Sequence, residues 1–315
     1  MINYKFINKY ELYVYLPKSL KFNLNFHCLI AEIINFILIY NNINTLKKLT
    51  FCCVENIDYD KICKSYIFNV LEFFKSKKIP IYISKIFKEN VIEVVNKKFG
   101  QSYASELNIE ELILKKNAIY YSFKGDKEIH EPVNDIVKAI ADRSLIINEE
   151  ELRDFLTTVI GEIFSNSINH SEQDEVFLLF DVKKVECDFY LYVSIIDYGT
   201  TIISNVRKFF AAKKISSDKC LKWAIAWGNT TRQGSGGYGL SMLIDYIKKV
   251  KGVLYIFSDN AYYSLETNGR ECIEEKSNQI FCGTSVTFKI KLFDTDNIIT
   301  YKDGVIDCFS LDDLK

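Results

Sequence analysis

The period of apolar and polar positions changes several times along this chain, and each change predicts an element. In residues 1–125, strand-like and helix-like runs alternate. "YELYVYLP" (10–17) reads as a strand and "NFHCLIAEIINFILIYNN" (25–42) as a buried helix. "KLTFCCVEN" (48–56) predicts a strand, "YDKICKSYIFNVLEFFKSKK" (59–78) an amphipathic helix, and "IPIYISKI" (79–86) another strand. The polar break "FKGDKEIHEP" (123–132) predicts a boundary, drawn at 128/129. A small α/β domain is therefore expected over 1–128 and a second domain over 129–315.

Beyond the break, a helical segment is predicted over 133–143 and a strongly periodic helix over about 149–169. Two strands follow, "EVFLLFDV" (175–182) and "FYLYVSIID" (189–197). A mostly helical stretch crosses 203–228 and leads into a glycine-rich loop. A helix over 238–250 is stopped by Gly252, and "VLYIFSD" (253–259) is a strand. "YYSLETNGRECIEE" (262–275) predicts a hairpin whose Asn268–Gly269 pair suits a type I′ turn. "SVTFKIKLF" (285–293) is a final alternating strand.

The helix over 149–169 raises the first functional question. Asn148 and Glu151 suggest a capping box, and Leu152, Phe155, Leu156, Val159, Ile160 and Ile163 define one apolar face. At about 100° per residue, Asn166 falls about 20° from Val159 and Glu162 about 20° from Phe155. His170 falls within the same stripe. Polar groups left unpaired on an inward face cost about 1–3 kcal/mol each. Either a buried network satisfies them, the helix end is solvated, or they serve a ligand.

Composition narrows the choices. The chain has 315 residues, is 48% hydrophobic, and balances 40 basic against 41 acidic residues. That balance gives no electrostatic case for a nucleic acid or membrane-surface partner. Nine cysteines without paired zinc-ligand spacing read as reduced thiols of a cytoplasmic protein. The opening "MINYKFINKYELY" lacks a secretory h-region, and the run "CLIAEIINFILIY" (28–40) is short for a bilayer span and carries Glu32.

Three further segments add candidate chemistry. Asp197 ends an apolar strand in "IIDYGTT" and Gly199 follows. A carboxylate there can accept from an exocyclic amine while the glycine admits a flat ring. In "RQGSGGYGLSML", Gly234, Gly236, Gly237 and Gly239 precede Leu240 and a helix, an arrangement that suits phosphates. Gly283 and Thr284 enter the last strand. Gly234, Gly236 and Gly239 also spell a dinucleotide fingerprint, with Asp259 twenty residues on, but that pattern needs a strand ending at the first glycine. A Walker A loop fails because Leu240 stands where lysine is required.

Taken in order, "EIFSNSINH", "DYGTT", "GSGGYGL" and "GT" (283–284) resemble the N-box and glycine boxes of the GHKL (histidine-kinase-like) ATPases, over about the last 180 residues. The resemblance implies an α/β sandwich, a mixed, mostly antiparallel sheet with helices on one face. It implies ATP and Mg²⁺ as cofactors, with Asn166 coordinating the metal and Glu162 orienting or deprotonating an attacking water. Asp197 would bind the adenine amine with Thr284 nearby, Gly199 would lie beside the ring, and Gly234, Gly236, Gly237, Gly239 and Leu240 would face the phosphates. His170 completes the N-box. Thr201 departs from the second glycine of the first glycine box. The strand–helix–strand piece over 48–86 resembles STAS-like regulatory modules. The implied activity is an ATPase switch. The alternatives are a serine/threonine kinase of the anti-sigma-factor type and a non-catalytic ATP-binding module. A protein partner met through the N-terminal domain or the lid, and a homodimer, are further expectations. No nucleic acid and no membrane are expected.

Overall fold

The computed structural model describes residues 2–92, 119–124, 130–141, 149–170, 175–186, 188–211, 214–231, 237–277 and 279–292. The boundary expected at 128/129 and the cap Asn148 lie outside them. The chain divides into two compact units. One comprises Met1–Tyr121 with Phe177–Asp181 and Asn278–Phe281, the other the remainder.

In the first unit the strands are β1 (Asn3–Asn8), β2 (Glu11–Tyr15), β3 (Ser19–Leu20), β4 (Lys48–Cys52), β5 (Asp58–Tyr59) and β6 (Ile81–Ile83). The long helices are α1 (Leu24–Asn44) and α2 (Lys61–Ser76), and a short helix (Lys85–Phe87) running into a π-helical turn (Lys88–Ile92) follows β6. The main sheet runs β1-β2-β4-β6, with β1 antiparallel and the rest parallel. The crossovers β2-α1-β4 and β4-α2-β6 proceed in one direction across the sheet. Right-handed crossovers then put both helices on one face, where they touch each other. Leu12, Val14 and Leu16 are buried while Tyr13 and Tyr15 between them are part-exposed, the alternation that a one-sided layer requires.

The apolar run judged too short to span a bilayer belongs to a longer helix. At 21 residues, α1 is long and apolar enough by length and composition. Eight of its residues are buried, and Asn23 caps its start by accepting from Phe26 N–H at 3.1 Å. It is a core helix of this unit.

A second sheet has seven strands in the order β12-β11-β10-β13-β9-β8-β7. They are β7 (Ile119–Lys124), β8 (Glu175–Val185), β9 (Asp188–Asp197), β10 (Val253–Asp259), β11 (Ala261–Leu265), β12 (Glu271–Glu275) and β13 (Phe281–Lys291). The helices are α3 (His130–Ala141), α4 (Glu149–His170), α5 (Ile202–Phe209), α6 (Ser217–Ile225) and α7 (Gly239–Lys249). Helix α4 packs on β9 and α7, and Phe155 stacks on Tyr246 with ring centroids 3.4 Å apart. The architecture is mixed α/β.

Some expected details change. The helical stretch over 203–228 is two helices, α5 and α6. The predicted polar break opens on the end of β7 and closes inside α3. The β11–β12 turn is not type I′, which needs positive φ at both central residues. Only Gly269 has it, at 79°. Gly269 N–H donates to Glu266 C=O at 2.8 Å, Glu266 N–H to Arg270 C=O at 3.0 Å, and Asn268 accepts from Arg270 N–H. This is a tight turn closed by one left-handed glycine.

Candidate functional site

The site grows from the end of β9. Asp197 is its last residue, lies opposite Thr284 of β13, and is 2% exposed. Gly199 N–H donates to its Oδ1 at 3.1 Å, and the Ser167 hydroxyl and the Thr284 backbone N–H also donate to it. Burial raises its carboxyl from the ordinary 3.8 to about 6, and the three neutral donors keep the rise from being larger.

Ser258 of β10 knits the floor together. It accepts from Ile202 N–H at 2.9 Å, donates to Gly283 C=O at 3.2 Å, and lies 3.1 Å from the Thr284 hydroxyl. Gly283 is needed where it stands. Its φ is 131°, and a Cβ there would lie 2.0 Å from the Asp197 carbonyl oxygen.

Above this floor opens a cleft with about 780 Å³ of empty volume, its open mouth included. Of the residues singled out in the sequence, Asn166, Asp197, Gly237, Gly239, Leu240 and Thr284 line it. Ser167, Thr200, Asn205, Trp223, Thr230 and Thr231 line it too, and the pattern had not singled them out as ligand contacts. Among the described lining residues there is no lysine, arginine or histidine.

Glu162 sits differently from its expected companions. It is exposed and is not among the lining residues. Its stem instead packs against the start of α7: a Cβ on Gly239 would lie 2.6 Å from Glu162 Cβ. Gly237, at φ 87°, accepts at its carbonyl oxygen from Gly228 N–H at 3.2 Å. Gly234, Gly236 and the His170 side chain lie outside the described residues.

Thr201, which stands where the resembled box has glycine, has a local role. It is the N-cap of α5, accepting from Ser204 N–H at 3.1 Å. The dinucleotide alternative loses its premise, because the described element preceding the glycine-rich loop is helix α6, not a strand. Asp259 has other work, facing Arg207 at 3.8 Å.

The sequence signal for the missed residues was slight. Ser167 sits beside Asn166 but reads as an ordinary helix residue. Ser258 looks like any small residue near a strand end, and its importance appears only when β10, β13 and α5 meet.

No protein-family model matches the chain, and no curated protein matches it significantly.

Proposed function

We propose that this cleft binds ATP with Mg²⁺ and that residues 129–315 form a GHKL-type sandwich, a mostly antiparallel sheet with helices on one face. The supporting observation is the hydrogen bonding of Asp197. An ionised carboxylate offers about four acceptor sites. Three neutral donors reach Asp197, which leaves an acceptor for an exocyclic amine on a flat ring. Gly283 keeps the backbone beside Asp197 close and bare.

The remaining chemistry fits the same ligand. Residues 234–239 and the start of the eleven-residue α7 would offer backbone N–H groups to the phosphates. With no described cation lining the cleft, Asn166 would hold Mg²⁺ by its amide oxygen. The metal would neutralise phosphate charge when bound. Glu162, braced against Gly239 at the rim, would accept a proton from water. We assign ATP hydrolysis as a conformational switch; phosphoryl transfer to a partner's serine or threonine, and binding without turnover, are the alternatives. The seven described cysteines are free, in keeping with a cytoplasmic setting.

Calorimetry with ATP and GTP tests the ring assignment. ATP should bind more tightly, because guanine presents a carbonyl where adenine presents its amine, and Asp197→Asn should remove roughly 10²-fold of ATP affinity. Equal ATP and GTP affinities would sink it. Phosphate release and radiolabel transfer by wild type and Glu162→Ala separate the activities. The switch predicts hydrolysis that falls roughly 10²–10⁴-fold in the variant while ATP still binds.

A further inference from the structure

We propose that one end of the first unit's sheet is a docking surface for an anionic lipid bilayer. The near-neutral charge of the whole chain conceals a division. Residues 1–121 carry seventeen lysines, no arginine and eleven carboxylates, a formal +6, so the rest of the chain carries −7. Six lysines of the first unit lie where the parallel strands β2, β4 and β6 begin; six more lie at the opposite end, but there Lys21 faces Asp58 and Asp60 and Lys85 faces Glu89. Lys9 precedes β2, Lys47 precedes β4, and the exposed turn at 75–78 with its three lysines precedes β6. Parallel pairing puts these three starts at the same end.

Exposed apolar side chains occupy the same end. Lys9 and Lys47 each hold an ammonium 4.9 Å from the Tyr10 ring. The Tyr40 hydroxyl donates to Lys9 C=O, and Phe6 packs on Tyr40 with centroids 4.8 Å apart. On α1, Ile39 and Ile43 stand one turn apart beside Tyr40. Phe6 is 46% exposed, Ile7 52%, Ile39 51% and Ile43 74%. Monomer surfaces seldom gather bulky apolar tips without a use for them.

The combination chooses the occupant. Stacked bases would ask for free ring faces, but the Tyr10 ring is taken by Lys9 and Lys47, Phe6 packs on Tyr40, and the three most exposed tips, Ile7, Ile39 and Ile43, are aliphatic. A second copy of this face would set Lys9 and Lys47 against themselves. An anionic bilayer takes both components at once: lysines meet the headgroups, and the isoleucines enter the acyl boundary. The helix lies on the membrane by its outer stripe and keeps its inner face in the core.

The test is co-sedimentation of the full chain with phosphatidylcholine vesicles, with and without phosphatidylglycerol. Wild type should pellet with the anionic vesicles only, and less as salt is raised. Each lysine is worth roughly fivefold in partitioning. Lys9→Glu with Lys47→Glu should therefore weaken binding by more than about tenfold, and Ile39→Ser with Ile43→Ser by about tenfold or more. Circular dichroism checks that both variants are folded, and the exposed lysine pair keeps the test intact should the serine pair unfold. The proposal is overturned if wild type stays in the supernatant, if folded Ile39→Ser/Ile43→Ser binds as wild type does, or if the patch instead retains a single-stranded oligonucleotide or forms a dimer that the serine pair splits.

Discussion

His27 in the first unit and Asp197 in the second are buried to the same depth, and the two meet opposite treatment. His27, on α1, is 2% exposed and lies among the Phe22, Phe26 and Tyr66 rings, with centroids 5.0–5.6 Å away. Burial lowers its pKa from 6.5 to about 3, so it is a neutral packing element. Asp197 is equally buried, yet three donors converge on it and a cleft opens above it. Burial alone therefore does not mark a site. What separates the two is a set of donors with one acceptor left over, next to space. The first unit packs His27 into a core of rings, whereas the second turns its polar groups toward a cavity.

The largest effect should come from the glycine that builds the Asp197 side of this contrast. Gly283→Ala would drive a Cβ into the Asp197 carbonyl oxygen, 2.0 Å away, at a φ that side chains rarely adopt. The second unit should lose roughly 3–5 kcal/mol in urea titration. A loss below about 1 kcal/mol would mean that β9 and β13 can separate freely, and that the tight floor is not needed to hold Asp197.

Acid should act on the two groups in opposite directions. His27 has a folded pKa below its unfolded value, so its stabilising contribution is present above pH 6.5 and is lost as pH falls toward 3. Between pH 6.5 and 5 the first unit should lose about 2 kcal/mol, and His27→Phe, similar in volume, should flatten that slope. An unchanged slope in the variant would remove His27 as its cause. Asp197 has a folded pKa above its unfolded value. Its contribution is present below about pH 4 and is lost as pH rises through 6. Asp197→Asn should therefore raise the stability of the nucleotide-free protein at pH 7.5 by about 1–2 kcal/mol, with the gain gone below pH 4. Thermal unfolding across pH reads both. A variant that is less stable at pH 7.5 would make Asp197 a structural anchor.

How much of this could be read from the sequence depended on whether the information was local. The α4 stripe, the β9 run ending at Asp197 and the Gly283–Thr284 entry to β13 are local patterns, and those elements occur close to where the periodicity puts them. Strand β1 went unread because "NYKFIN" has no alternation: nearly every residue is exposed. The turn at Asn268–Gly269 misled because the dipeptide favours one geometry while the strand ends left three residues to span. Ser167 and Ser258 were illegible for a different reason. Their roles consist of partners 30 and 56 residues away in sequence, Asp197 and Ile202, which only the tertiary arrangement supplies. The charge division was hidden by summing over the whole chain.

Thr201 gives the finest test of whether a departure from a motif is a defect of the site or local helix chemistry. Its hydroxyl accepts from Ser204 N–H and satisfies one of the four free donors at the start of α5. Replacing a threonine cap by alanine costs about 1 kcal/mol, while glycine at the same place costs only a few tenths. Thr201→Ala should therefore destabilise the second unit by about 1 kcal/mol, and Thr201→Gly, which restores the glycine of the resembled box, by less. The side chain belongs to the cap and is not among the cleft-lining residues, although its neighbour Thr200 is. ATP affinity should then stay within about twofold of wild type in both variants, since no ligand contact is removed. Chemical denaturation measures the cap and calorimetry the affinity. A tenfold gain in ATP affinity for Thr201→Gly would show instead that threonine obstructs the cleft, and that this chain has given up nucleotide affinity for helix stability.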